Sequence, residues 1–269
     1  IQSLSGEAVY RFKFKNESLL KIYGAFSYTD FDLTQEDINY DEGVRFGLKN
    51  RNLYFNTSYK NSFGDGWEIA TGVSFTNDYS DNKIIDDKVT ADENSAHVKV
   101  AVKKRFTNRF KLNFGAEYFM TDFNENYKSV GNPKLEYGFD NNIFASYVEA
   151  DIFFSKKLAS KVGFRGEYSE LLNEFTVSPR ASIAYKSGKN TQFSFAYGRF
   201  FQNPKNDYLK FNTNFKAENT SHFIANYQYV KNKQIFRIEA YYKNYQNLVK
   251  YNTDVFLPTS SYSNLGTGY

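Results

Sequence analysis

Cysteine is absent from this sequence, which excludes disulfides, cysteine-ligated metal sites and thiol chemistry. The absence does not fix a compartment, because a periplasmic or surface protein can simply avoid cysteine. No run of about 18 apolar residues occurs, so no transmembrane helix is expected. No leader is visible at Ile1, and any targeting segment is expected to have been removed or to lie outside these residues. Charge of one sign is nearly absent in net terms: a balance of +4 gives no case for a polyanionic partner such as nucleic acid. No glycine-rich phosphate loop, metal-ligand set or nucleic-acid module is visible. No helix-period segment or low-complexity linker appears either, and residues 1–269 read as one domain.

Aromatic residues are the abundant class. Phe and Tyr number 28 and 23, and aromatics make up 19% of the chain. Yet the mean hydropathy is -0.63, so the chain is polar on average. A wall of β-strands reconciles the two values, with one face of each strand apolar toward lipid and the other polar toward water. The dominant period is two. Phe193, Phe195 and Tyr197 share one face of a segment whose other face carries Gln192, Ser194, Ala196 and Gly198. Phe236, Ile238, Ala240 and Tyr242 alternate with Arg237, Glu239, Tyr241 and Lys243 in the same way. Strands are expected near 6–15, 18–31, 42–60, 67–78, 95–106, 109–123, 140–156, 159–170, 174–187, 191–203, 219–231 and 234–249, with a thirteenth beginning near 262.

The connections alternate in length. Short turns fall at Lys15–Glu17, Ser62–Gly66, Thr107–Asn108, Lys156–Lys157, Ser187–Asn190 and Lys231–Lys233. Between them, long polar loops are expected at Asp32–Asp41, Asn77–Asn94, Thr121–Phe139, Asn203–Glu218 and Asn244–Ser261, with the short Leu171–Glu174 connection as an exception. Short turns on one rim and long loops on the other are the pattern of outer-membrane barrels. The apolar phase shifts between Leu48 and Leu53, which predicts a bulge near Asn50. The fold class is therefore all-β: an antiparallel transmembrane β-barrel of which about 12–13 strands are present.

Four stretches in the last third carry a family resemblance. They are Ser178-Pro179-Arg180-Ala181-Ser182, the run from Phe195 to Pro204 (FAYGRFFQNP), the run from Phe215 to Phe223 (FKAENTSHF), and the run from Ile238 to Val249 (IEAYYKNYQNLV). Asn264-Leu265-Gly266-Thr267-Gly268 adds a strand start. In this order and spacing they resemble the TonB-dependent outer-membrane transporters. Ala217 departs from the pattern, since the family usually has proline there. The resemblance implies a barrel of about 22 strands occupied by a plug, of which this chain would be a partial barrel domain without plug or C-terminal strands. It also implies a Gram-negative outer-membrane location, contact with lipid, and energy relayed from the TonB complex through the plug. Active import of a scarce nutrient, a small molecule or metal chelate such as a ferric siderophore, follows. A passive porin-like or adhesion barrel is the alternative.

No covalent chemistry, catalytic residue, metal or cofactor is required by this reading. Arg165, Glu167, Arg180, Arg199, Arg237 and Glu239 are expected on the lumen face, where they would meet each other and the plug, since a half-buried Arg needs acceptors. Tyr137, Tyr208, His97 and His222 are candidates for loop or lumen contact with substrate. His97 and His222, the only histidines, lie near Ser95 and Ser221, so a barrel hydrolase is a third hypothesis. Asp78, Asp81, Asp86, Asp87, Asp92 and Glu93 crowd one segment, expected as a solvated surface loop. Tyr59, Trp67, Phe110, Tyr185, Tyr229 and Phe236, near the short turns, suit an interfacial aromatic girdle.

Overall fold

The computed structural model describes residues 1–251 and 262–269. Its strands are β1 (Gln2–Lys13), β2 (Leu19–Asp37), β3 (Tyr40–Phe63), β4 (Trp67–Ile84), β5 (Asp87–Thr107), β6 (Phe110–Lys128), β7 (Leu135–Phe153), β8 (Leu158–Ser169), β9 (Glu174–Tyr185), β10 (Thr191–Gln202), β11 (Glu218–Lys231), β12 (Gln234–Tyr251) and β13 (Tyr262–Gly268). One short helix, α1 (Asn206–Leu209), lies between β10 and β11. The 13 strands form one sheet in sequence order, and neighbours pair antiparallel from β1 to β3 and from β7 to β13. All thirteen strands read from the period-two pattern are present, joined by short turns at the six positions that the sequence marked.

The residues fall into two compact units. The first comprises Ile1–Asn61, Ala70–Lys99 and Tyr118–Asn142; the second comprises Ser62–Ile69, Val100–Glu117 and Ile143–Tyr269.

In the first unit, register sorts the side chains by face. Tyr10 and Phe12 lie opposite Ile22 and Leu20, which lie opposite Thr57 and Tyr59 on β3. Phe26 is flanked by Gly6 and Leu53. This face is apolar and uncovered: Phe26, Leu53 and Phe55 are 44%, 48% and 44% exposed. Contiguous exposed apolar side chains of this kind are rare on soluble monomers and mark a face suited to lipid or a partner. Beyond Tyr28 and its neighbour Arg51, the same face turns charged. Asp30 pairs with Lys49 at 3.0 Å and Asp32 with Arg45 at 2.6 Å.

That change of character corrects the expected bulge. The β2–β3 register runs without a break from Leu19↔Lys60 to Gln35↔Val44, straight past Asn50. The irregularity lies between Gln35 and Asp37, across from Gly43 at φ 74°, where a Cβ would sit 2.6 Å from the Gln35 carbonyl oxygen. The apolar phase shifts near Asn50 because the strand leaves its apolar zone, so both faces become free to carry polar groups. It also corrects two long loops. Residues 32–41 and 77–94 are mainly strand, closed by tight turns after Asp37 and Ile84. The 24 residues of β3 extend roughly 80 Å at about 3.3 Å each, against roughly 25 Å of apolar band in an outer-membrane barrel. The acidic segment 78–93 therefore lies largely on β4 and β5, with Lys88 paired to Asp81 at 2.8 Å. The 121–139 connection shrinks to the residues between Lys128 and Leu135. Of the expected 244–261 loop, residues up to Tyr251 are strand and 252–261 lie outside the described residues.

In the second unit, two rows cross the strands. Val162, Ala181, Tyr197, Phe223 and Tyr242 form one, and Ser160, Ile183, Phe195, Ala225 and Ala240 the next. Phe164 and Phe195 are 58% and 59% exposed on this face. Large aromatic side chains meet across strands, as Phe193–Tyr227 and Tyr197–Phe223 do at 4.9 and 5.0 Å between ring centroids. Near the short turns, Trp67 stacks on Phe63 and lies under the Lys104 ammonium, and Phe106 packs on Phe110. Apolar burial is confined to a few places, chiefly Leu209, Phe215 and Ala217 in the β10–β11 connection.

Candidate functional site

The opposite face of the second unit is polar and carries its charges in sets. Arg165 on β8 has Tyr147 of β7 and Ser178 of β9 as register neighbours. Its guanidinium donates through Nε to Glu167 and through Nη1 to Glu117 of β6. Glu117 is buried, and Arg165 is 17% exposed at its side chain. The planar fork suits two carboxylates at once, and it fixes β6 to β8. Four residues away on β8, Lys161 bridges Glu149 at 2.7 Å and Asp151 at 3.3 Å. On β12, Arg237 donates to Glu239, which also accepts from Asn226 at 3.4 Å.

Arg180 lies over the Phe200 ring at 5.3 Å, and the His222 ring packs against Phe200 at 5.1 Å. Gly198 stands between Arg180 and His222 in the ladder, and the Phe200 ring lies over it, where a Cβ would come within 2.7 Å of the ring. His222 faces Lys243 on its other side, and its Nε2 makes no hydrogen bond. In the first unit, His97 stacks on Phe119 at 4.1 Å, and the neighbouring Ser95 hydroxyl engages Glu93 at 3.1 Å and Thr121 at 3.3 Å. Both histidines are thus ring-packed. Among the described residues no group of three His, Cys, Asp or Glu side chains could hold a metal ion.

The predicted polar residues divide as follows. Arg165 and Glu167 come together, with Glu117 added; Arg237 and Glu239 come together; Arg180 joins Phe200 and His222. Arg199 corrects the expected lumen-facing set. Its register shares a face with Phe195 and Tyr197, its guanidinium lies over Phe201 at 4.9 Å, and it donates to Asn219 at 3.2 Å. The position lies past the aromatic rows toward the longer connections, where that face turns polar, as β2 and β3 do at Tyr28 and Arg51. Tyr137 lies on β7 in the first unit, and Tyr208 sits in α1 with its ring 5.4 Å from Tyr262.

Sequence reasoning missed how firmly the β10–β11 connection is held. Asn203 donates to Ser169 at 2.9 Å, the Lys216 N–H to Asn264 at 2.5 Å, and the Asn264 amide to the Asn247 carbonyl at 2.6 Å. The Ala217 N–H donates to the Glu174 carboxylate at 2.6 Å. Proline, the usual residue of the resembling motif, has no N–H and could not make that bond. The signal was present as motif residues, Asn203, Asn247 and Asn264, whose polar side chains tie a connection to the strands below it.

A family model described as "TonB dependent receptor-like, beta-barrel" matches residues 6–269. No curated protein matches by sequence search. Among solved structures, the alcaligin outer-membrane receptor FauA of Bordetella pertussis is similar over 99% of this chain and 48% of its own, at 11% identity and a TM-score of 0.73. The hemophore receptor HasR of Serratia marcescens, in complex with the hemophore HasA and heme, is similar over 98% and 50%, at 10% identity and a TM-score of 0.78. The ferripyoverdine receptor of the outer membrane of Pseudomonas aeruginosa is similar over 93% and 42%, at 10% identity and a TM-score of 0.71. The chain thus spans half or less of the length of these structures. At these identities they establish the fold, an antiparallel receptor barrel, and the solved relatives are receptors rather than enzymes. With the family model covering nearly every residue, the chain belongs to the TonB-dependent receptor β-barrel family.

Proposed function

We propose that this chain forms part of the barrel wall of an outer-membrane receptor that binds a scarce nutrient and imports it with energy relayed through TonB. The observation that carries the reading is the two-faced sheet. One face presents uncovered aromatic rows, suited to lipid, and the other presents ordered charged sets such as Glu117–Arg165–Glu167. A polar face rich in fixed ion pairs gives a plug acceptors and donors to seat against, while the ring-packed histidines have no need of a chemical role. Iron chelates and heme are the ligands named for the similar receptors, and a ferric siderophore is the substrate class to test first. The test is uptake by the whole receptor in cells with and without TonB. Uptake that needs TonB and saturates with substrate is expected. Uptake that is unsaturable and indifferent to TonB would instead mark a passive pore.

A further inference from the structure

We propose that a charged groove on β2–β5 of the first unit is a docking site for the phosphorylated headgroup of a membrane lipid; the proposal rests on the membrane reading above. The groove holds about 510 Å³ and is lined by Asp30, Asp32, Arg45, Lys49, Lys83 and Lys88, among others. Its place in the strands is the first argument. Asp30 and Asp32 follow Phe26 and Tyr28 at alternate positions of β2, on the face that carries the apolar rows. Two residues of strand advance about 7 Å, so the groove opens roughly one headgroup beyond the last aromatic of the lipid-facing stripe.

Shape is the second argument. Gly47 is flanked on β3 by Arg45 and Lys49, and a Cβ built on it would lie 3.6 Å from the Lys83 Cβ. A side chain there would fill the floor that the glycine leaves open.

Charge is the third. Four cations converge with three carboxylates, Asp30, Asp32 and Asp81. Asp32 takes Nε and Nη2 of Arg45, which leaves the guanidinium's remaining N–H groups free to donate. Lys49 and Lys88 each meet one carboxylate, at 3.0 and 2.8 Å, with ammonium protons to spare. Lys83 has no ion pair among the described residues. The carboxylates hold the cations extended over the groove, and a phosphate would complete their donor sets by charge-assisted bonds. Arg51, over the Tyr79 ring at 5.7 Å, adds a further cation at the boundary. A free phosphate would satisfy the same donors. Continuity with the exposed Phe26, Leu53 and Phe55 favours the lipid, because acyl chains gain from that wall and a free ion does not.

The experiment uses the whole receptor in nanodiscs of phosphatidylcholine doped with bis-phosphorylated lipid A or with its dephosphorylated form. Native mass spectrometry counts the lipid A retained, and heat-modifiable migration reports whether the barrel is inserted. Expected is several-fold greater retention of the phosphorylated lipid, lost in Lys83→Glu and in Gly47→Leu with insertion unchanged, and weakened by salt. Lys83→Gln, a milder change of an exposed side chain, should lose part of the difference. Equal retention of the two lipids by the inserted wild-type receptor overturns the site while leaving the membrane reading intact. Displacement of the lipid by millimolar inorganic phosphate assigns the groove to a free anion and overturns the proposal. A receptor that never inserts overturns the membrane reading, and the proposal with it.

Discussion

Replacing Arg165 by Met removes the guanidinium that Glu117 and Glu167 share. Met keeps much of the volume, so the loss is mainly of charge and hydrogen bonds. Glu117 is 7% exposed at its side chain and Glu167 is 25% exposed, so neither carboxylate can rehydrate fully. Breaking a buried pair by removing one partner costs about 3–5 kcal/mol, and the partial exposure here points to the lower end, about 3 kcal/mol. The assay is urea unfolding of the receptor in liposomes, followed by intrinsic fluorescence. Adding Glu117→Gln to Arg165→Met removes the more buried of the two carboxylate charges and should recover more than about 1 kcal/mol of the loss, a coupling measurable in a double-mutant cycle. A cost for Arg165→Met below about 0.5 kcal/mol, the range of exposed ion pairs, would refute the view that this set ties β6 to β8.

Ala217→Pro removes the N–H that Glu174 accepts at 2.6 Å, and hydrogen exchange over 203–218 should quicken relative to β10 and β11. The Arg45 guanidinium, through its hydrogen bond, holds the Asp32 carboxyl below its ordinary value of 3.8. A depressed folded value means that the pair supports the β2–β3 extension at neutral pH, and that this support fades as pH falls below about 4. Amide exchange in the extension should therefore rise on acidification, and Asp32→Asn should abolish that pH dependence. Lys49 is raised by Asp30, so its contribution persists through neutral pH and is lost only above the ordinary lysine range.

The fold was legible because a strand with two unlike faces prints its period directly into the sequence. Phe193, Phe195 and Tyr197 needed no tertiary information to be placed on one face. Loop lengths were less legible, because a strand that leaves its apolar zone loses its alternation without losing its ladder. Asp30, Asp32, Arg45 and Lys49 look like loop residues in composition, and only their cross-strand pairing shows that they are strand. The turn after Ile84 carries no glycine or proline, and Ile85 takes φ 55° there, a conformation unfavourable for a β-branched residue. The charged sets were half legible. Arg165 with Glu167 and Arg237 with Glu239 sit two apart on one strand face, so parity alone brought them together. Glu117 reaches Arg165 from a distant strand, and nothing local announces it. Arg199 shows the opposite failure: being charged, it was read onto the polar face, whereas its register belongs to the other.

The most direct test of the account compares two arginines on adjacent positions of β10. Phe195 is 59% exposed on the apolar face, while Ser194 points to the polar one. With lipid against the apolar face, Phe195→Arg should destabilise the liposome-embedded receptor by about 2–4 kcal/mol, and Ser194→Arg by less than about 1 kcal/mol. Equal costs for the two variants, or a larger cost for Ser194→Arg, would contradict the assignment of that face to the membrane.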